Sequence, residues 1–221
     1  MRLSVPVDRA RAACAGSIEA FIRAARSLSE HDLLGGSRCH GWSRLDVVTH
    51  VVAGWSDMLG GMVSASADAP TVDAASYWSA FREQYDVADP VPLLMSQRRR
   101  SDAYSRPSAA VDHLGDVAGA VLRGVADIQD GRRSWQGHVF EAGDFLTIWA
   151  VENVVHHLDL LVDEPAPVDA LALARTSVEA LLDTALPLDW DDVEATLVGT
   201  GRLPVPELLA ATVAGRLPAL G

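Results

Sequence analysis

The stretch FLTIWAVENVVHHLDLLV, residues 145–162, decides how the rest of the chain is read. It is apolar enough for a buried helix, yet Glu152, His156 and His157 stand in its middle. On a helix, Phe145, Trp149, Glu152, His156, Asp159 and Asp163 recur at alternate spacings of four and three, so they form one stripe. The stripe begins with aromatic residues and therefore faces inward. Glu152 and His156 lie one turn apart and point the same way. An unpaired buried carboxylate costs on the order of several kcal/mol. A neighbouring cation, a hydrogen-bond network or a metal ion has to compensate. His157 turns about 100° away and is expected to be a partly exposed histidine beside Asn153. Asp159 is either an orienting partner for His156 or a solvated residue at the helix end.

A second apolar helix carries a matching oddity. DVVTHVVAGW, residues 46–55, places His50 among Val47, Val48, Val51 and Val52. Gly54 lies one turn on, and Gly60 and Gly61 follow, so small residues leave room beside the histidine. SRLD, residues 43–46, resembles a capping box with Asp46 in the place of the usual Glu. Asp46 also lies one turn before His50 and could orient that imidazole instead. If the two helices pack together, His50, Glu152 and His156 converge. Two histidines and one carboxylate suit Zn²⁺, Fe²⁺, Ni²⁺ or Mn²⁺ and leave an open coordination position. A satisfied core network of the same residues is the other reading. His113 and His138 are the remaining histidines considered as a fourth donor.

The bulk of the chain bounds what such a site could serve. Its 221 residues allow one large domain, or a main domain with an appendage. A net charge of −12 argues against nucleic acid, and the lone basic run, Arg98 to Arg100, reads as a solvated helix face. The start, MRLSVPVDRARAAC, has no apolar signal core. No run approaches the roughly 18 apolar residues of a membrane span, so a cytoplasmic protein is expected. Cys14 and Cys39 are too few for a disulfide framework. Cys14 reads as a buried small residue. Cys39, in a glycine-rich loop before a helix, is either structural or a low-pKa thiol.

Periodicity predicts helices over 7–28, from Ser43 to about 65, over 77–88, over 93–130 with a break at Pro107, through the opening stretch, and over 168–186. Residues 35–42, 66–75 and 130–144 read as connections. Alternation of Val193, Ala195 and Leu197 before Gly199 and Gly201 predicts a strand and turn, with a last helix over 205–217. The fold class is mainly α: a four-helix bundle over 1–165 and a small C-terminal α/β region over 166–221. Trp55, Trp78 and Trp149 are expected to line a pocket or simply fill the core.

GWSRLDVVTHVVAGW, residues 41–55, and WAVENVVHHLDL, residues 149–160, resemble the mycothiol-dependent maleylpyruvate isomerase N-terminal domain family, of the DinB-like metal-binding superfamily. The resemblance implies a four-helix bundle and one divalent metal, usually zinc, held by His50, Glu152 and His156. It also implies mycothiol, or a similar small thiol, held as thiolate near the metal and added to a small electrophile. The Arg-only, Ala-rich composition fits a GC-rich actinobacterial source. DWDDVEATLVGTGR, residues 189–202, resembles the strand and turn of the isomerase's small C-terminal domain, from which an arginine reaches the active site. That makes Arg202 the catalytic candidate, as a fork for a carboxylate; the other reading is an ordinary surface arginine. S-conjugation and thiol-assisted isomerisation are the expected activities, and a homodimer is compatible with the family. A metal-dependent hydrolase or lyase without thiol, and a non-catalytic binding bundle, are the competing functions.

Overall fold

The computed structural model describes residues 2–85, 89–207, 213 and 216–220. In chain order the helices and strands are α1 (Val7–Ser27), α2 (Glu30–Leu34), α3 (Arg44–Val63), β1 (Ala65–Ser66), α4 (Ser76–Tyr85), α5 (Val91–Asp102), α6 (Pro107–Asp127), β2 (Arg132–Trp135), β3 (His138–Glu141), α7 (Ala142–Asp159), α8 (Val168–Leu182) and α9 (Asp192–Gly199). Four of them form the frame. α1 packs against α6 and α7, and α3 packs against the same two, which closes a four-helix ring.

Small residues set how closely the ring closes. α1 buries Ala10, Ala13, Cys14, Ser17, Ile18, Phe21, Ala24 and Ala25, a helical stripe that lets α7 lie close against it. At the start of α7, a Cβ on Gly143 would sit 1.9 Å from the Val5 carbonyl oxygen, so only glycine lets the N-terminal segment cross there. Asp144 accepts the Val5 N–H at 2.9 Å and ties that segment down. α3 starts as its sequence predicts. Ser43 accepts from the Asp46 N–H, and the Asp46 carboxylate accepts from the Ser43 N–H.

Pro107 separates α5 from α6 and stands in the first turn of α6, where its missing N–H is not needed. α5 docks on α3 through buried polar residues. Gln97 Nε2 donates to the Asp46 carbonyl at 2.7 Å and to Thr49 Oγ1 at 2.8 Å, and the Ser101 hydroxyl donates to Asp46 Oδ1 at 2.6 Å. The Asp46 side chain is therefore engaged by Ser43 and Ser101 and is not the orienting partner of His50.

Three expectations fail at the level of elements. Residues 130–144 are not a plain connection: β2 and β3 pair as an antiparallel hairpin, with β1 on the outer edge of β2. Its turn, Gln136-Gly137, has φ of 47° and 77°, the left-handed pair that suits a tight two-residue hairpin. Strands this short, with arginines in β2, leave little alternation to read. The strand expected at 193–197 is helix α9. Asp191 caps it by accepting the Glu194 N–H at 2.7 Å, and Ala195 to Gly199 are all buried. The motif helix stops at Asp159, because Leu161 takes φ of 56°, so Asp163 is not on the inward stripe. The helix expected over 205–217 falls largely outside the described residues, as does the end of the one expected over 77–88.

α8 lies on α7 and α1, and α9 lies on α8. A single hydrophobic core runs from Phe21 and Trp55 in the ring to Val178, Leu182 and Trp190 beyond it. Among the described residues, no helix is long and apolar enough to cross a membrane.

Candidate functional site

α3 and α7 lie side by side, and their inward stripes meet where the sequence placed its buried polar groups. His50 Nε2 lies 3.4 Å from Glu152 Oε1, and His156 Nε2 lies 3.2 Å from the same oxygen. The two imidazole rings are 4.8 Å apart, edge to face, and Trp42 covers His50 with ring centroids 5.1 Å apart. His50 and Glu152 are about a third exposed, at 32% and 31%, while His156 is almost fully enclosed at 7%. The group is therefore open on one side only.

The far side of His156 is a second constellation. Its Nδ1 faces Asp159 Oδ2 at 3.0 Å. Asp159, with no exposure, also accepts Arg202 Nε at 3.1 Å, Arg202 Nη2 at 3.0 Å and the Cys39 thiol at 3.0 Å. The segment carrying Cys39 is held at the C-terminus of α7. The Arg38 N–H caps the Asp159 carbonyl at 3.0 Å, and Arg44 Nε caps that of Leu160 at 2.7 Å. Arg202 comes from the turn after α9 and reaches the site through Asp159.

Charge follows from these neighbours. Burial would raise Glu152, but the charge of His156 and the hydrogen bonds from both imidazoles outweigh it and hold the carboxyl well below its usual range. Burial would likewise lower His156, yet Glu152 and Asp159 together raise it well above an ordinary histidine. At His50 burial prevails over Glu152, and protonation is disfavoured. Asp159, despite burial, is held low by His156 and Arg202.

The donor set fits a small divalent ion. The ligand atoms of His50, Glu152 and His156 all lie within 4.8 Å of one another. Two donors about 2.1 Å from one tetrahedral ion stand roughly 3.4 Å apart, which matches the 3.2 and 3.4 Å separations here. With Nδ1 on Asp159, Nε2 is the nitrogen of His156 that would coordinate once its proton is displaced. Cys39, His156 and Asp159 form a second close group, but Arg202 already supplies its cation.

These groups open into a cavity of about 610 Å³. Trp55, Trp78 and Trp149 all line it, as do Trp135 and Gln136 from the hairpin. Trp55 is also anchored: its indole N–H donates to Asn153 Oδ1 at 2.8 Å, and Asn153 donates to Ser17 at 3.1 Å. The room left by Gly54 and Gly61 is filled by α7. A Cβ on Gly54 would meet Trp149 at 3.2 Å, and one on Gly61 would meet Phe145 at 2.7 Å.

Other candidates lie elsewhere. His138 packs against Tyr77 and is not part of the cluster. His113 bonds the Tyr104 hydroxyl at 2.8 Å on the exposed face of α6. His157 is buried, not partly exposed, with Nε2 donating to the Glu164 carbonyl at 2.8 Å. Cys14 is enclosed in α1, where burial pushes its thiol far up. Arg100, set aside in the sequence as part of a solvated run, lines the cavity. Nothing in the local sequence marks it; only the seating of α5 on α3 brings it there.

The profile of the mycothiol maleylpyruvate isomerase N-terminal domain matches residues 14–161. Two solved structures share the fold. One is a mycothiol-dependent maleylpyruvate isomerase, with 13% identity and a TM-score of 0.55. The other is a histidine-to-alanine mutant of a mycothiol-dependent maleylpyruvate isomerase, with 11% identity and a TM-score of 0.54. Each match covers 79% of this chain and 70% of the other. No curated protein matches.

Proposed function

Because the chain belongs to the mycothiol maleylpyruvate isomerase N-terminal domain family, we propose that it is a metal-dependent thiol enzyme that adds a small thiol, mycothiol or a relative, to a small electrophile. The observation that carries this is the meeting of His50 Nε2, Glu152 Oε1 and His156 Nε2 at the wall of an aromatic cavity. In this reading those three residues hold the ion, zinc by its donor set. Bound there, a divalent ion lowers the pKa of a thiol and keeps it as the nucleophile.

The chain's own residues do the rest. Asp159 fixes the His156 ring from behind, and Arg202 fixes Asp159. Arg202 is thus a positioning residue for the ligand set. Trp42 packs against one side of the His50 ring. The aromatic wall takes the apolar part of the electrophile and excludes water from the addition step. If the thiol stays on the product the reaction is conjugation; if it leaves after rotation about the former double bond, the reaction is isomerisation.

Metal analysis of tag-free protein tests this directly. We expect about one zinc per chain, lost in His50→Ala and in Glu152→Ala while both variants keep their helical circular dichroism. Wild type should turn over an electrophile in the presence of thiol, read as thiol consumed or as isomerised product, only when loaded. A wild type that binds no divalent ion, or that turns over equally well without it, would overturn the reading.

A further inference from the structure

The cavity is lined by two arginines, and they stand in different states. Arg202 has its fork on Asp159 and donates a further bond from Nη1 to the Thr200 carbonyl at 3.2 Å. Arg100 forms no ion pair among the described residues; its hydrogen bond there runs from Nη1 to Gln97 Oε1 at 3.4 Å. The other charged groups on the cavity wall do not take it up. Glu152 is engaged by the two imidazoles, and Asp57 makes no ion pair with Arg100.

Gln97 is the neutral neighbour of the exposed Arg100 guanidinium. It is 4% exposed, and its amide nitrogen is fixed by the Asp46 carbonyl and Thr49 Oγ1. That leaves Oε1 turned to the guanidinium. That acceptor is uncharged and the contact is long, so the charge of Arg100 remains available to a ligand. A planar guanidinium at the mouth of an aromatic cavity matches a carboxylate in shape and charge.

We propose that Arg100 is the carboxylate-recognition residue of this cavity, selecting anionic electrophiles over their neutral esters. Calling the ligand a substrate rests on the thiol-enzyme reading above; the binding preference does not. The test is titration calorimetry of maleate and of dimethyl maleate into the whole wild-type protein, Arg100→Gln and Arg100→Lys. Wild type should bind maleate about tenfold more tightly than the ester, and Arg100→Gln should lose about that tenfold for maleate alone. Arg100→Lys should recover part of it, because the charge stays while the fork is lost. All three should melt alike, since the side chain is exposed.

Absence of maleate binding in wild type overturns the proposal. So does unchanged maleate affinity in Arg100→Gln, or an equal loss for the ester. Assays of thiol consumption and of maleate-to-fumarate isomerisation on the same samples separate the two readings. Arg100-dependent maleate binding without any thiol addition would keep the anion site and remove the enzyme reading.

Discussion

Two buried carboxylates on α7 show how one residue type is put to opposite uses. Asp159 is surrounded by donors and stays ionised. Asp144 accepts a single N–H from Val5, its other oxygen has no partner, and burial pushes its pKa up to about 6. A raised folded-state pKa means that the native chain holds this proton more tightly than the unfolded chain. The stability it contributes therefore grows as pH falls through about 6 and is absent above it. Asp144→Asn keeps the acceptor for Val5 and removes the titration. Its melting temperature should change less than that of wild type between about pH 5 and about pH 8, and parallel curves would refute this. Asp159→Asn should act differently: a loss of about 3 kcal/mol in denaturant unfolding, because Arg202 is left without its partner. Metal affinity should fall by roughly ten- to a hundredfold in a chelator competition, because His156 loses its orienting group. At this scale the sequence was informative where an ionisable residue lay on the inward side of an apolar helix, as at His50, Glu152 and His156. It was silent on Arg100 and uninformative on His157, whose burial is set by the turn at Leu161 and the Glu164 carbonyl.

Helices were legible where their periods were long and their caps explicit. Ser43 with Asp46, and Pro107, mark boundaries that the structure keeps. The hairpin was hidden because each of β2 and β3 has four residues and its turn depends on backbone geometry at Gln136. α9 was misread because Val193, Ala195 and Leu197 satisfy period two, while the signal for the helix is the Asp191 cap, and Ala195 to Gly199 are all buried whatever their period. Within α3, neighbouring glycines separate propensity from packing. Gly60 has open space where a Cβ would go, so Gly60→Ala should stabilise by about 0.5–1 kcal/mol through helix propensity alone. At Gly61 the same methyl would lie 2.7 Å from the buried Phe145 ring, and Gly61→Ala should lose about 1–2 kcal/mol despite that propensity. Thermal melts of the pair should move in opposite directions, and a common sign would show that Phe145 yields.

For the whole molecule, the mainly helical bundle was within reach of the sequence, and the continuity of its core was not. The C-terminal helices share apolar contacts with the ring, and Arg202 carries the region's link to Asp159. We therefore expect calorimetry to show a single unfolding transition. A chain ended after Pro165 should lose cooperativity, because the faces of α1 and α7 that α8 covers would meet water. Two resolved transitions in the full chain would instead mark 166–221 as an independent unit.

The hairpin has a consequence for how such a protein can diversify. Trp135 and Gln136 reach the cavity from a two-residue turn whose backbone bonds stay within a small sheet. The residues of the cluster, by contrast, are interlocked, so most changes there break several partners at once. Substitutions at Gln136 that tolerate its φ of 47° leave the four-helix ring untouched; they change the rim and the hydrogen bond that Gln136 accepts from the Tyr77 hydroxyl at 3.1 Å. Natural selection could therefore retune what the cavity admits by drift in that turn, while the chemistry beneath it stays fixed.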